Sequence, residues 1–188
     1  MKYINFLLLF SAVALHAGDW QIDNKAQNKV IFHSSSTLTD FDGATDQIDG
    51  YIYWDGKKLF SGKNAFYLEV RLESFETGNG KRDRDMRDDV LQTDQYPLGS
   101  FNGTITSFNQ VKDSIGVMVK GDMKLHGKQK HLEMPATIIL KNGVMRVLAS
   151  FSLFLHDYNI KAPQLVAFVK VADEIKLELD FKLKEHKD

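Results

Sequence analysis

The chain of 188 residues has no cysteine, which removes disulfide stapling, thiol nucleophiles and cysteine-ligated metals at one stroke. Proline is nearly as scarce, with three in the whole sequence, and that scarcity suits long uninterrupted strands. Neither sign of charge prevails, since 24 Lys plus Arg stand against 25 Asp plus Glu. Such a balance offers no nucleic-acid surface and no strong pull toward anionic lipid. Past the first few residues no apolar run is long enough to span a bilayer. Phosphate-loop and dinucleotide fingerprints are missing as well.

The N-terminus has an order of its own. Met1 and Lys2 give a positive start, residues 4–13 are almost continuously apolar, and Ala12, Ala14 and Ala17 follow. Charge, apolar stretch and small-residue boundary in that order predict a secretory signal peptide over residues 1–17. Cleavage is expected after Ala17, with Ala14 as the alternative because Leu15 fits the −3 position poorly. No cysteine follows the apolar run, so a lipoprotein anchor is excluded. The mature chain, residues 18–188, is then one domain placed in the periplasm or secreted, held together by its core alone.

What the chain has in abundance is a period of two. In residues 64–75 (NAFYLEVRLESF), Phe66, Leu68, Val70 and Leu72 share one face, and Tyr67, Glu69, Arg71 and Glu73 share the other. Residues 174–184 (EIKLELDFKLK) alternate in the same way. A strand with one buried and one wet face requires that pattern. Weaker versions occupy residues 29–35, 47–54, 100–108, 114–125, 132–140, 144–155 and 165–171. Asn142-Gly143 is the strongest hairpin signal, because a two-residue turn needs positive φ twice; Asp55-Gly56 is a second. Many strands and no covering helices predict an all-β antiparallel sheet closed on itself, which abolishes exposed edges. The exception is residues 76–90 (ETGNGKRDRDMRDDV), read as a loop leading into one short helix capped by Asn79, or as a solvated linker. Residues 144–155 are apolar on both faces, so their outer side needs the helix, a partner subunit or the following segment as cover.

Several motifs then occur in a fixed order. Thr77-Gly78-Asn79, Arg82-Asp83 and Met86-Arg87 precede Gln95-Tyr96-Pro97-Leu98 and Phe101. Gly121-Asp122-Met123-Lys124-Leu125-His126-Gly127 continues to Lys130, Leu132 and Pro135. Val30-Ile31-Phe32, Phe41-Asp42-Gly43 and Ile48-Asp49-Gly50-Tyr51-Ile52 open the chain. Together these resemble the YceI family of bacterial exported lipid-binding barrels over nearly all of the mature sequence. Residues 155–160 match least well: Asn159 stands where the family shows Gly, and His156 where it shows a basic residue. The resemblance implies an extended lipocalin-like antiparallel β-barrel of about eight strands with one short helix. It also implies a long-chain ligand held inside: a polyprenyl chain, an isoprenoid quinone or a fatty-acid-type amphiphile.

The residues expected to line such a tunnel are Phe32, Trp54, Phe66, Leu68, Val70, Phe101, Ile105, Met123, Phe151 and Phe154. Arg82, Asp83 and Arg87 are the polar candidates, either for a ligand headgroup or for pinning the helix to the rim. No cofactor and no metal are expected, because His33, His126, His131 and His156 have no ligand-like spacing. Ser34-Ser35-Ser36 lacks a nucleophile-elbow context. The binding reading therefore leads. A lipid-modifying enzyme using His156 with Asp157 or Glu133 is one alternative, and a ligand-free interaction module is the other. Expected partners are the isoprenoid or fatty-acid-type lipid, not nucleic acid, with transient membrane contact and a homodimer through the outer face of residues 144–155 left open.

Overall fold

The structure, a computed structural model, describes residues 18–162, 164–166 and 169–186. The expected leader lies outside these residues. Twelve strands run in the order β1 (Gly18–Ile22), β2 (Lys29–Ser35), β3 (Asp40–Thr45), β4 (Ile48–Trp54), β5 (Asn64–Arg71), β6 (Leu98–Val111), β7 (Ser114–Leu125), β8 (Lys128–Lys141), β9 (Val144–Phe154), β10 (Gln164–Val166), β11 (Val169–Lys170) and β12 (Glu174–Glu185). Ten form one antiparallel sheet, and β1 pairing with β12 at Trp20↔Glu185 closes it into a barrel. β1 and β2 lie successively along the same side of β12, and β3 and β4 follow each other in the same way. Counting each interrupted pair as one stave, the ring has eight.

Both interruptions are stitched by side chains. Asn28, buried, donates to the Asp23 carbonyl at 3.0 Å and accepts from Lys182 N at 3.0 Å, replacing ladder bonds lost between β1 and β2. Between β3 and β4, the Thr45 hydroxyl accepts from Gln47 N and meets the Ser74 hydroxyl at 2.6 Å. Asn142 and Gly143 have φ of 51° and 72°, as the predicted two-residue turn requires. His126-Gly127 makes an equivalent turn between β7 and β8.

The structure differs from the sequence reading at four places. β1 is an additional strand, and β3, which holds the Phe41-Asp42-Gly43 motif, is one that alternation does not mark; both are short. The strand expected over residues 165–171 is not a barrel stave: β10 and β11 form a separate two-stranded sheet, and Lys170 and Val171 touch the turn after β2 at Thr37 and Ser36. Asp55-Gly56 is not a two-residue turn, because Asp55 N bonds to Lys63 O across a longer loop. β5 stops at Arg71, where a 3-10 turn over Leu72–Ser74 leads the chain away. The charged stretch does contain the predicted helix, α1 (Gly80–Asp85), running into a π-helical turn over Met86–Val90.

The two ends of the barrel are built differently. One carries the 55–63 loop and the hairpin turns β6–β7 and β8–β9; the other carries the β2–β3 turn, α1 and the β9–β12 connection. At the first end the interior is filled: Met145 and Leu183 are fully buried, and Trp54 packs edge-on against Phe60 at 5.1 Å.

Candidate ligand-binding site

Between the filled end and α1 the barrel encloses a cavity of about 520 Å³. Alternation on every stave supplies its walls: Val30 and Phe32 from β2, Phe66, Leu68 and Val70 from β5, Phe101 and Ile105 from β6, Met123 from β7, Phe151 and Leu153 from β9, and Leu177, Leu179 and Phe181 from β12. On β5 the outward partners are polar, as Tyr67 and Glu69 illustrate by bonding each other at 2.6 Å. Phe66 and Phe101 tilt together at 5.0 Å across the wall.

The π-helical turn closes much of the other end. Met86 and Val90, with Leu91 just beyond, line the cavity. Lys81, Arg82 and Asp85 are its only titratable lining side chains among the described residues, and all three stand at this mouth. α1 is fixed in place by its own residues. The Asn79 side chain accepts from Lys81 N at 3.1 Å and Arg82 N at 3.2 Å, capping the helix as predicted. Asp83, buried, accepts from Thr77 N at 2.9 Å and from the Thr77 hydroxyl at 2.5 Å. Arg82 donates to the same hydroxyl at 2.8 Å and to Thr77 O at 3.0 Å, while its guanidinium stacks over Phe41 at 4.4 Å.

Of the residues expected to line a tunnel, Phe32, Phe66, Leu68, Val70, Phe101, Ile105, Met123 and Phe151 border the cavity, and Arg82 does so at the mouth. Four lie elsewhere. Trp54 faces inward but sits in the filled end, where its ring occupies the space beside Gly18. Phe154 is three residues from Phe151 and therefore on the opposite face of β9, where it is 44% exposed. Asp83 is consumed in bonds to Thr77, and Arg87 donates to Phe75 O at 3.2 Å, tying the helical segment to the residue just after the Leu72–Ser74 turn. The sequence reading overlooked Met86, Val90 and Leu91. Their signal was present: Met86 and Val90 are spaced four apart, the apolar edge of a helical turn within a charged run. It also overlooked Ser34 as a wall residue.

The remaining candidates do not converge on the cavity. His33 Nδ1 lies 2.7 Å from Asp42, His131 Nδ1 lies 3.0 Å from Asp122, and His156 pairs with Asp173; all three pairs involve exposed carboxylates or imidazoles. The Asp173 carboxyl is held below the usual carboxylate range by its hydrogen bond from His156. Glu133 is exposed on the outer face of β8. Tyr158 is buried, and that burial, with a smaller contribution from Asp157, pushes its phenol up to about 12. Among the described residues no three His, Asp or Glu side chains are grouped to hold a metal ion. The chemistry available inside the barrel is therefore apolar enclosure with a polar rim.

Known proteins share this architecture. The polyisoprenoid binding domain from Saccharophagus degradans, described as implicated in plant cell wall breakdown, superposes with a TM-score of 0.73 at 17% identity, covering 91% of this chain and all of that one. BcnA of Burkholderia cenocepacia superposes with a TM-score of 0.69 at 16% identity, over 86% of this chain and 98% of its own. At such identities the likeness establishes the fold alone. In sequence, Protein YceI of Escherichia coli O157:H7 is 28% identical over 163 residues, 82% of either chain. The YceI-like domain model matches residues 20–183, nearly all of the described barrel, and the chain belongs to that family.

Proposed function

We propose that the protein is an exported binding protein that holds a long-chain apolar lipid, isoprenoid or fatty-acid-type, in the barrel interior and carries or stores it. The observation that carries the reading is the enclosed apolar cavity with its polar residues confined to one mouth. Its volume falls within the roughly 300–1,000 Å³ common for small-molecule sites. Burying roughly ten methylene units at ~0.8 kcal/mol each offsets the cost of association and leaves affinity on the order of micromolar. The polyisoprenoid binding named for the S. degradans neighbour agrees with this ligand class. The leader-like N-terminus supports a periplasmic or secreted location. Among the described residues no acid/base pair lines the cavity walls below its mouth, which favours binding over turnover.

Native mass spectrometry of the purified mature protein, followed by organic extraction and lipid analysis, tests the proposal. The expected result is a one-to-one adduct that extraction identifies as a prenyl or fatty chain. A bare mass that stays unchanged after incubation with such lipids overturns it.

A further inference from the structure

Three hydroxyls of the β2–β3 hairpin line the cavity near its mouth: Ser34, Ser36 and Thr39. Two are spoken for. Ser36 Oγ donates to Thr39 O at 3.0 Å and accepts from Leu38 N and Thr39 N, building the β2–β3 turn. Thr39 Oγ1 donates to Asp40 O at 3.0 Å. Ser34 is different: it is 7% exposed, and its hydroxyl has no hydrogen-bond partner among the described residues. It follows Val30 and Phe32 on the inward face of β2, a series of positions that are otherwise apolar until the turn begins. Its cross-strand partner is Phe41, the ring over which Arg82 stacks, so Ser34 lies just inside the rim.

A buried hydroxyl without a partner is costly, and valine or alanine would fill a strand position at an apolar wall without that cost. The apolar neighbours offer the hydroxyl nothing, so the natural source of a partner is whatever fills the cavity. We infer that Ser34 is a polar anchor that donates a hydrogen bond to an oxygen of the bound lipid, selecting chains that end in an uncharged oxygen-bearing head: an alcohol, ester, ketone or quinone. This inference rests on the carrier reading and specifies the ligand within it. A phosphate head suits the position poorly, because one neutral donor among apolar walls cannot compensate the desolvation of two or more charges. A charged head would instead be drawn to Lys81 and Arg82, which line the cavity at its mouth.

The test compares two chains of one carbon skeleton, the prenyl alcohol geranylgeraniol and the corresponding hydrocarbon without oxygen. Each displaces the fluorescent probe N-phenyl-1-naphthylamine from the delipidated protein. The parent is expected to prefer the alcohol, and Ser34→Ala to weaken alcohol binding about five- to tenfold while leaving the hydrocarbon unchanged. Ser34→Thr, which keeps a hydroxyl on the strand, keeps the preference. Ser34→Ala is also expected to unfold no earlier than the parent when lipid-free, since it removes an unpaired group; an earlier midpoint would mean that the hydroxyl already has a partner in the protein, and the anchor fails. Displacement by both chains with an unchanged ratio in Ser34→Ala overturns the anchor alone. Displacement by neither overturns the carrier reading and the anchor together.

Discussion

The two ends of the barrel solve opposite problems with the same staves. At the filled end, bulk does the closing. Phe60 sits between Trp54 at 5.1 Å and Phe108 at 6.0 Å, and its backbone is held at φ 55° in the 55–63 loop. Asn64 fixes that loop, donating to Phe60 O and Ile105 O and accepting from Ile105 N at 2.7 Å, where the β6–β7 register shifts. At the mouth the closing is done by backbone excursion instead: the chain leaves β5, caps a two-turn helical segment over the opening and returns at β6. Side chains that pack directly on the sheet are hard to displace. A segment held by a few hydrogen bonds to Thr77 and Phe75 is the part of such a barrel able to yield.

Substitutions at the two ends should therefore differ in size and in what they unfold. Phe60→Ala should be the largest, costing about 3 kcal/mol in urea denaturation and loosening the filled end as part of the global transition. Asp83→Ala should cost roughly 2 kcal/mol, because it strands the Thr77 N–H and hydroxyl. Its loss should appear in hydrogen exchange as lowered protection of α1 and the following turn, with the strands unaffected; uniform loss across the barrel would contradict the division. The smallest effect concerns neither end. Arg146 grips Asp180 by donating from Nε and Nη2 to its two oxygens, at 2.7 Å and 2.5 Å, across β9 and β12, and the hydrogen bond from Arg146 lowers the Asp180 pKa from its ordinary 3.8. A lowered folded pKa means a contribution present above the unfolded value and lost as pH falls through the folded one. In this half-exposed pair it should amount to about 1 kcal/mol or less. A pH–stability profile of Asp180→Asn should therefore converge on the parent below about pH 4.

The sequence made the staves legible and left their heights unmarked. Ile175, Leu177, Leu179, Phe181 and Leu183 announce their common face through alternation alone, and the structure places all five inward or buried. Alternation cannot tell how far along the barrel axis a residue stands, which is why Trp54 belongs to the filled end and Phe66 to the cavity. β3 is marked by the Phe41-Asp42-Gly43 motif and not by alternation, partly because Gly43 replaces a side chain there: the Phe32 ring fills the space, and a Cβ would lie 2.2 Å from it. The helical segment was legible as a helix through Asn79, but its orientation was not. Which of Arg82, Asp83, Met86 and Arg87 faces the cavity depends on how the segment docks, and docking is set by Thr77, Phe75 and Phe41, residues distant from any local pattern.

The closing pair Trp20↔Glu185 joins nearly the first described residue to nearly the last. β5 to β9 pair with sequence neighbours and can assemble as a meander, but the ring waits for β12 to meet β9 on one side and β1 and β2 on the other. Contacts this distant in sequence form late, because the loop entropy must be overcome before they contribute. Until they form there is a curved sheet with an open trough and no enclosed interior. An enclosed interior thus depends on β12: before it docks, the wall formed by Leu177, Leu179 and Phe181 is missing and the other staves bound only a groove.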